Sequence, residues 1–147
     1  MHTALDLKPH PEGGRFQEVY RAGMAVNLPD GRTRAALTHI YFQLAPGEVS
    51  RFHRVRQDEV WNLYEGAVRL WILTESGALT QTDLSATDGV YCAVVPAGCW
   101  QAAEPVDGPG LVGCTVAPGF DFADFELITG DTPIAPKITE LGLARLL

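Results

Sequence analysis

Short apolar runs, five to eight residues long and each closed by a glycine or proline turn, recur along most of this chain. Leu37 to Leu44 alternates, with Ile40, Phe42 and Leu44 on one face and Leu37, His39 and Tyr41 on the other, and Pro46-Gly47 ends it. Val60–Tyr64, Val68–Thr74, Leu79–Leu84, Val90–Val95, Trp100–Glu104 and Leu111–Val116 follow, and Gly66, Gly77, Gly89, Pro96, Pro105 and Pro118 stand in the breaks after them. Runs rich in β-branched and aromatic residues, with turns at this spacing, predict an all-β sandwich or barrel. A length of 147 residues fits one domain. Fifteen Gly and ten Pro supply the turns that many short strands require. Helix is expected only over Ile138–Leu147, with a single turn at Phe122–Phe125.

Several runs are apolar on both faces: Val68, Leu70 and Ile72 oppose Trp71 and Leu73. Such strands need cover outside the barrel as well as inside it. A second subunit is the simplest cover, so a homodimer is expected; the alternative is a terminus folded over the outer face. Trp71 reads as core, and Trp100 as facing a neighbouring sheet or subunit. The formal net charge of −7 repels phosphate backbones and argues against nucleic-acid binding. Cys92, Cys99 and Cys114 show no C-x-x-C spacing and sit in apolar runs, which predicts buried free thiols. No stretch reaches the roughly 20 apolar residues of a membrane-spanning helix. The first six residues have neither the basic start nor the apolar middle of a signal peptide, so a cytosolic location is expected.

The segment Gly47 to Gly66 carries the chemistry. Five residues separate Gly47 from His53, five more separate His53 from Glu59, and six separate Glu59 from Gly66. This register resembles the first motif of the cupin superfamily, G-x5-H-x-H-x3-E-x6-G, with Val55 in place of the second His. Residues two apart on a strand point the same way, so the motif aims its side chains into a barrel. The second cupin motif, G-x5-P-x-G-x2-H-x3-N, is matched by Pro96 and Gly98, with Gln101 at the His position. Gly89 stands one residue too far away, and Pro105 replaces the Asn. The strings His10-Pro11-Glu12-Gly13-Gly14, Phe52-His53-Arg54, Asp58-Glu59-Val60-Trp61, Val95-Pro96-Ala97-Gly98 with Trp100-Gln101, and Gly113 to Phe120 further resemble a small cupin subfamily of unassigned function. The resemblance spans residues 5 to 128. It implies a jelly-roll barrel with a core over about residues 14–128, usually dimeric, and similar in shape to the keto-sugar epimerases and isomerases of nucleotide-sugar pathways. The tail, residues 129–147, reads as packing or dimer contact.

Three readings of the pocket stand side by side. In the first, no metal is needed: His53 is a general base, Glu59 orients it, Tyr41 or Tyr91 donates a proton, Gln101 clamps the ligand and Trp61 stacks on it. Arg51, Arg54 and Arg56 would then receive a diphosphate, because guanidinium forks match phosphate oxygens. The ligand would be a nucleotide-linked sugar or another anionic carbohydrate. In the second, His53, Glu59 and Gln101 hold one divalent ion for a dioxygenase or isomerase, with His39 a further candidate ligand, although two of the usual imidazoles are missing. In the third, the barrel only binds a metabolite, or its polar groups are merely satisfied core. His10, Glu12 and Glu18, around Gly13-Gly14, belong to a segment that either closes the barrel mouth or pairs as an edge strand.

Overall fold

The computed structural model describes residues 5–147, so part of the N-terminal stretch read for a targeting signal lies outside the described residues. Among the described residues the strands run in the order β1 (Lys8–Pro9), β2 (Arg15–Arg21), β3 (Ala25–Asn27), β4 (Thr33–Ala35), β5 (Thr38–Leu44), β6 (Ser50–Arg54), β7 (Asp58–Glu65), β8 (Ala67–Leu73), β9 (Leu79–Ser85), β10 (Cys92–Val95), β11 (Trp100–Pro105), β12 (Gly110–Ala117) and β13 (Glu126–Leu127). They form a six-stranded sheet, β1-β2-β5-β12-β7-β10, and a five-stranded sheet, β13-β6-β11-β8-β9, with β3-β4 as a separate hairpin. All pairings between named strands are antiparallel. This is the expected all-β jelly-roll.

Two apolar clusters divide the strands by parity. The inner one lies between the sheets and includes Phe42, Leu44, Trp61, Val68, Leu70 and Val112. The outer one packs Phe52, Leu73, Trp100 and Ala102 against Ile138, Leu143 and Leu146 of the C-terminal tail. The cover that the two-faced strand β8 requires therefore comes, on this sheet, from the chain itself. Trp71 is half-buried against the outer cluster, and its indole N–H donates to Glu104 Oε2 at 3.0 Å.

The helix lies earlier than the sequence pattern indicates. It is α1 (Ala135–Glu140), followed by a 3-10 turn at Ala144–Leu146. Pro136 falls in the first turn, where its missing N–H costs nothing, and Gly142 at φ +80° ends the helix. The single turn expected near Phe122 is a 3-10 turn at Phe122–Asp124. Among the cysteines only Cys114 is buried; Cys99 is half-buried, and Cys92 is exposed because its strand position faces outward from β10.

Candidate functional site

A β-bulge sets up the site. On β6, Ser50 pairs with Ala103 and His53 with Gln101, so three steps on one strand match two on the other. The extra residue turns both Ser50 and His53 toward the interior, while Phe52 packs into the outer cluster. Glu59 enters from β7, paired with Val116 of β12, and Trp61 follows it opposite Cys114. The hairpin between β7 and β8 turns at Gly66, φ +71°, where a Cβ would lie 2.1 Å from Pro109 O.

The N-terminal segment supplies the other half. Gly13, at φ +109°, lies so close to β6 that a Cβ there would stand 2.0 Å from Val49 O. This approach, with Arg51 N–H donating to Glu12 O at 2.8 Å, inserts His10 and Glu12 beside His53. Both alternatives for the segment therefore occur together: β1 pairs with β2, and the next residues form a wall of the barrel mouth. Ser50 Oγ donates to Glu12 Oε2, which lies 3.4 Å from His53 Nε2.

His10, Glu12, His53 and Glu59 line a cavity of about 440 Å³ together with Cys114 and Val55. Phe16, Phe120, Phe122 and Phe125 make its walls aromatic, and Glu18, Arg21 and Asp121 also line it. The size and the ratio of apolar wall to converging polar groups are those of a small-molecule site. Beneath it runs a hydrogen-bonded chain. Trp61 Nε1 donates to Gln101 Oε1 at 2.8 Å, and Gln101 Nε2 donates to Glu59 Oε1 at 2.9 Å.

Burial disfavours the charged form of each of these polar groups. Glu12 is pushed up to about 8 by desolvation, against the opposing pull of Ser50 and Arg51. Desolvation, aided by His53, drives His10 down to about 3. His53 is lowered by desolvation in spite of Glu59 and the Arg51 carbonyl, and Glu59 is raised by desolvation in spite of His53. The Glu12–His53 contact is therefore a carboxylic acid beside a neutral imidazole, not an ion pair.

His53, Glu59 and Gln101 come together as the register requires, but the other sequence-predicted residues go elsewhere. Tyr41 is on the outer face of β5, its ring 6.3 Å from His39 and 5.8 Å from Tyr64. Strand alternation puts it opposite to the cavity-lining Ile40. His39 shares that outer face, bonded to Thr115 Oγ1 and Tyr64 Oη at 2.8 Å each. Tyr91 is exposed, ahead of β10. Trp61 points inward but lies beneath the cavity, edge-on to Phe42 at 5.9 Å, so it supports the floor and does not line the cavity.

The three arginines diverge. Arg51 Nη2 donates to Pro11 O at 2.7 Å, strapping down the N-terminal segment. Arg54 bonds Glu126 Oε2 at 2.6 Å, pairs with Glu75 and lies over Trp100 on the outer side of β6. Arg56 is exposed in the turn before β7. None of them lines the cavity. His10 and Glu12 line the cavity more fully than their sequence context indicates, and Phe120, Phe125, Arg21 and Cys114 line it without a local sequence signal for that role. The Gly13-Gly14 pair was the one local signal that the N-terminal segment passes close to another strand.

The family described as "Cupin superfamily (DUF985)" matches residues 2–128. The chain belongs to that family. Among solved structures, this cupin is similar to protein SO0799 from Shewanella oneidensis, at 33% identity and TM-score 0.83, covering 97% of this chain and 90% of that one. It is likewise similar to a hypothetical protein from Leishmania major, at 29% identity and TM-score 0.78, covering 92% and 86%. An oxalate decarboxylase of Bacillus subtilis shares 18% identity and a TM-score of 0.63 over 94% of this chain and 35% of that one, a likeness of fold alone. No protein of curated function matches.

The donor set of this cupin does not fit a resident metal ion. Val55 occupies the second imidazole position and is buried as cavity wall. The Trp61 N–H consumes the oxygen of Gln101, whose amide N–H faces Glu59, and an N–H cannot ligate a cation. Among the described residues no group of three or more His, Cys, Asp or Glu side chains is arranged to hold a metal.

Proposed function

We propose that this cupin binds a small neutral carbohydrate-like carbonyl compound in its barrel and moves a proton on it without a metal, with His53 as the base. The observation that carries this reading is the His53 imidazole, whose Nε2 meets a cavity in which the carboxyl groups of Glu12 and Glu59 converge. A base that gains a proton there becomes an imidazolium, whose charge favours ionisation of the Glu59 carboxyl near it. The aromatic walls suit the apolar face of a sugar ring or short polyol. A diphosphate has poor support, because Arg51, Arg54 and Arg56 turn away and Arg21 is engaged by Glu18 at 2.6 Å. The nucleotide-linked ligand suggested by the sequence is therefore narrowed to the neutral sugar portion.

Thermal-shift screening against neutral aldoses and ketoses, with nucleotide sugars alongside, tests the binding. Incubation of a responding ligand in heavy water then tests the chemistry. Deuterium is expected at the carbon beside the carbonyl, with His53→Leu losing at least about 100-fold of the rate. An unchanged rate in His53→Leu removes the base from the mechanism. We also propose that a second copy of the chain covers the outer face of the six-stranded sheet.

A further inference from the structure

Two imidazoles face the cavity, and the other nitrogen of each meets a backbone group whose hydrogen-bonding role is fixed. His10 Nδ1 lies 3.2 Å from the backbone N–H of Glu12, which is aimed at it and can only donate, and 3.2 Å from Oε1 of the Glu12 carboxyl, which burial keeps protonated and whose other oxygen already accepts from Ser50. His10 Nδ1 must therefore be bare, and the proton of the neutral ring sits on Nε2. His53 Nδ1 lies 2.7 Å from the backbone carbonyl of Arg51, which can only accept. His53 Nδ1 must carry the proton, and its Nε2 is a lone pair. Neither Nε2 has a hydrogen-bond partner among the described residues, and neither is among the polar atoms sealed from open space. The 3.4 Å between His53 Nε2 and Glu12 Oε2 is too long for a strong bond. Both rings pack on Phe125, with centroids 5.8 Å and 5.6 Å away, so they border one end of the same cavity.

We infer that His10 and His53 are a fixed pair of opposite tautomers, one presenting an N–H and the other a bare nitrogen, and that the pair selects an α-hydroxy carbonyl compound. The inference deepens the proton-transfer reading above and, in its ligand class, rests on it. The carbonyl oxygen accepts from His10 Nε2–H, and the C–H beside that carbonyl faces His53 Nε2. When the C–H bond breaks, its proton passes to His53. The electron pair becomes a C=C bond, and the former carbonyl π pair settles on the oxygen held by His10. Return of a proton to the carbon restores the carbonyl, so atoms and charge balance without a co-reactant. A neutral imidazole suits this donor role because it stabilises the oxyanion without needing to be charged. His10 would thus touch the reacting oxygen, a catalytic residue beyond the motif positions.

The backbone partners allow a direct test. In the 15N-labelled full chain at neutral pH, long-range proton–nitrogen correlation of the imidazoles, assigned with His10→Gln and His53→Gln, is expected to show His10 protonated at Nε2 and His53 at Nδ1. The same tautomer in both rings, or a charged ring in either, overturns the pair. Dihydroxyacetone is the chemical probe, read by deuterium uptake in heavy water. His10→Leu is expected to lower uptake by about 100- to 1,000-fold, the usual loss for one oxyanion donor. His10→Gln, which retains an N–H at nearly the same reach, is expected to recover at least about a tenth of the rate. Uptake that depends on His53 and ignores His10→Leu overturns the role of His10 and leaves the base reading intact. No uptake above the buffer rate in the unmodified protein overturns the base reading and the ligand class together, whatever the tautomers.

Discussion

Glu12 shows what burial does at the scale of one residue. Its carboxyl is enclosed with Ser50 and His53 near it, and desolvation lifts it from 4.5 to about 8. Between those values the native protein keeps a proton that the unfolded chain has released, so this contribution to stability is fully present below pH 4.5 and is lost as the pH rises toward 8. His10 acts in the opposite sense: depressed from 6.5 to about 3, it contributes stability above pH 6.5 that is lost as the pH falls toward 3. The two slopes oppose each other in the window they share, and the Glu12 loss stands alone above 6.5. Each group shifts stability by about 1.4 kcal/mol per pH unit at its steepest. Glu12→Gln, which is never ionised, should therefore gain on the unmodified protein as denaturant unfolding is repeated from pH 6.5 to 8. A constant difference across that range would mean that native Glu12 is already ionised.

At the scale of elements, a buried aspartate ties the aromatic wall to the barrel. The loop between β12 and β13 carries Phe120, Phe122 and Phe125, and Asp124 in the 3-10 turn anchors it. Asp124 accepts from Arg34 Nε at 2.8 Å and Nη2 at 3.1 Å, from Arg32 on the β3-β4 hairpin, and from Gln57 before β7. Arg34 holds this carboxyl below its ordinary value, so the anchor is charged at neutral pH. Asp124→Ala should cost roughly 2 kcal/mol, because Arg34 and Gln57 lose their carboxylate partner while Arg32 keeps Asp30. Hydrogen exchange should quicken over residues 119–127 while both imidazole tautomers stay as they are; unchanged exchange there would show that the loop is held by its phenylalanines alone. None of this network was legible in the sequence, since its members are separated by up to 92 positions and obey no local period. The strands were legible because side-chain alternation and Gly or Pro turns act over a few residues. The convergence of His53, Glu59 and Gln101 was legible for the same reason, in the motif spacing. Parity failed at the bulge in β6, which reassigns the faces around Arg51 and Phe52. It also failed for Trp61, because alternation says that a side chain points inward and not how deep in the barrel it lies.

At the scale of the whole molecule, the two sheets are covered unequally. The C-terminal tail seals the five-stranded sheet, whereas the outer face of the six-stranded sheet leaves Tyr20 at 55%, Tyr64 at 46% and Val94 at 54% exposure. Tyr64 packs over Gly113, where any Cβ would strike its ring, so the middle of this face is smooth. Tyr41, Asn62 and Thr115 share the face with His39, whose charged form burial disfavours. Two molecules of net charge −7 can meet there without burying a carboxylate. A two-fold axis through such a patch sets each tyrosine against the same surface on its partner, the arrangement that closes a dimer without leaving a free edge to polymerise. Sedimentation equilibrium at micromolar concentration should give twice 15.9 kDa. Val94→Glu, which adds a charge at the exposed face of β10 away from the cavity, should shift the protein toward the monomer by at least about tenfold in dissociation constant. Its circular dichroism and His53-dependent exchange should not change. A monomer at every concentration up to about 100 µM, weak even against the micromolar range of modest interfaces, would leave this face without a second copy as its cover.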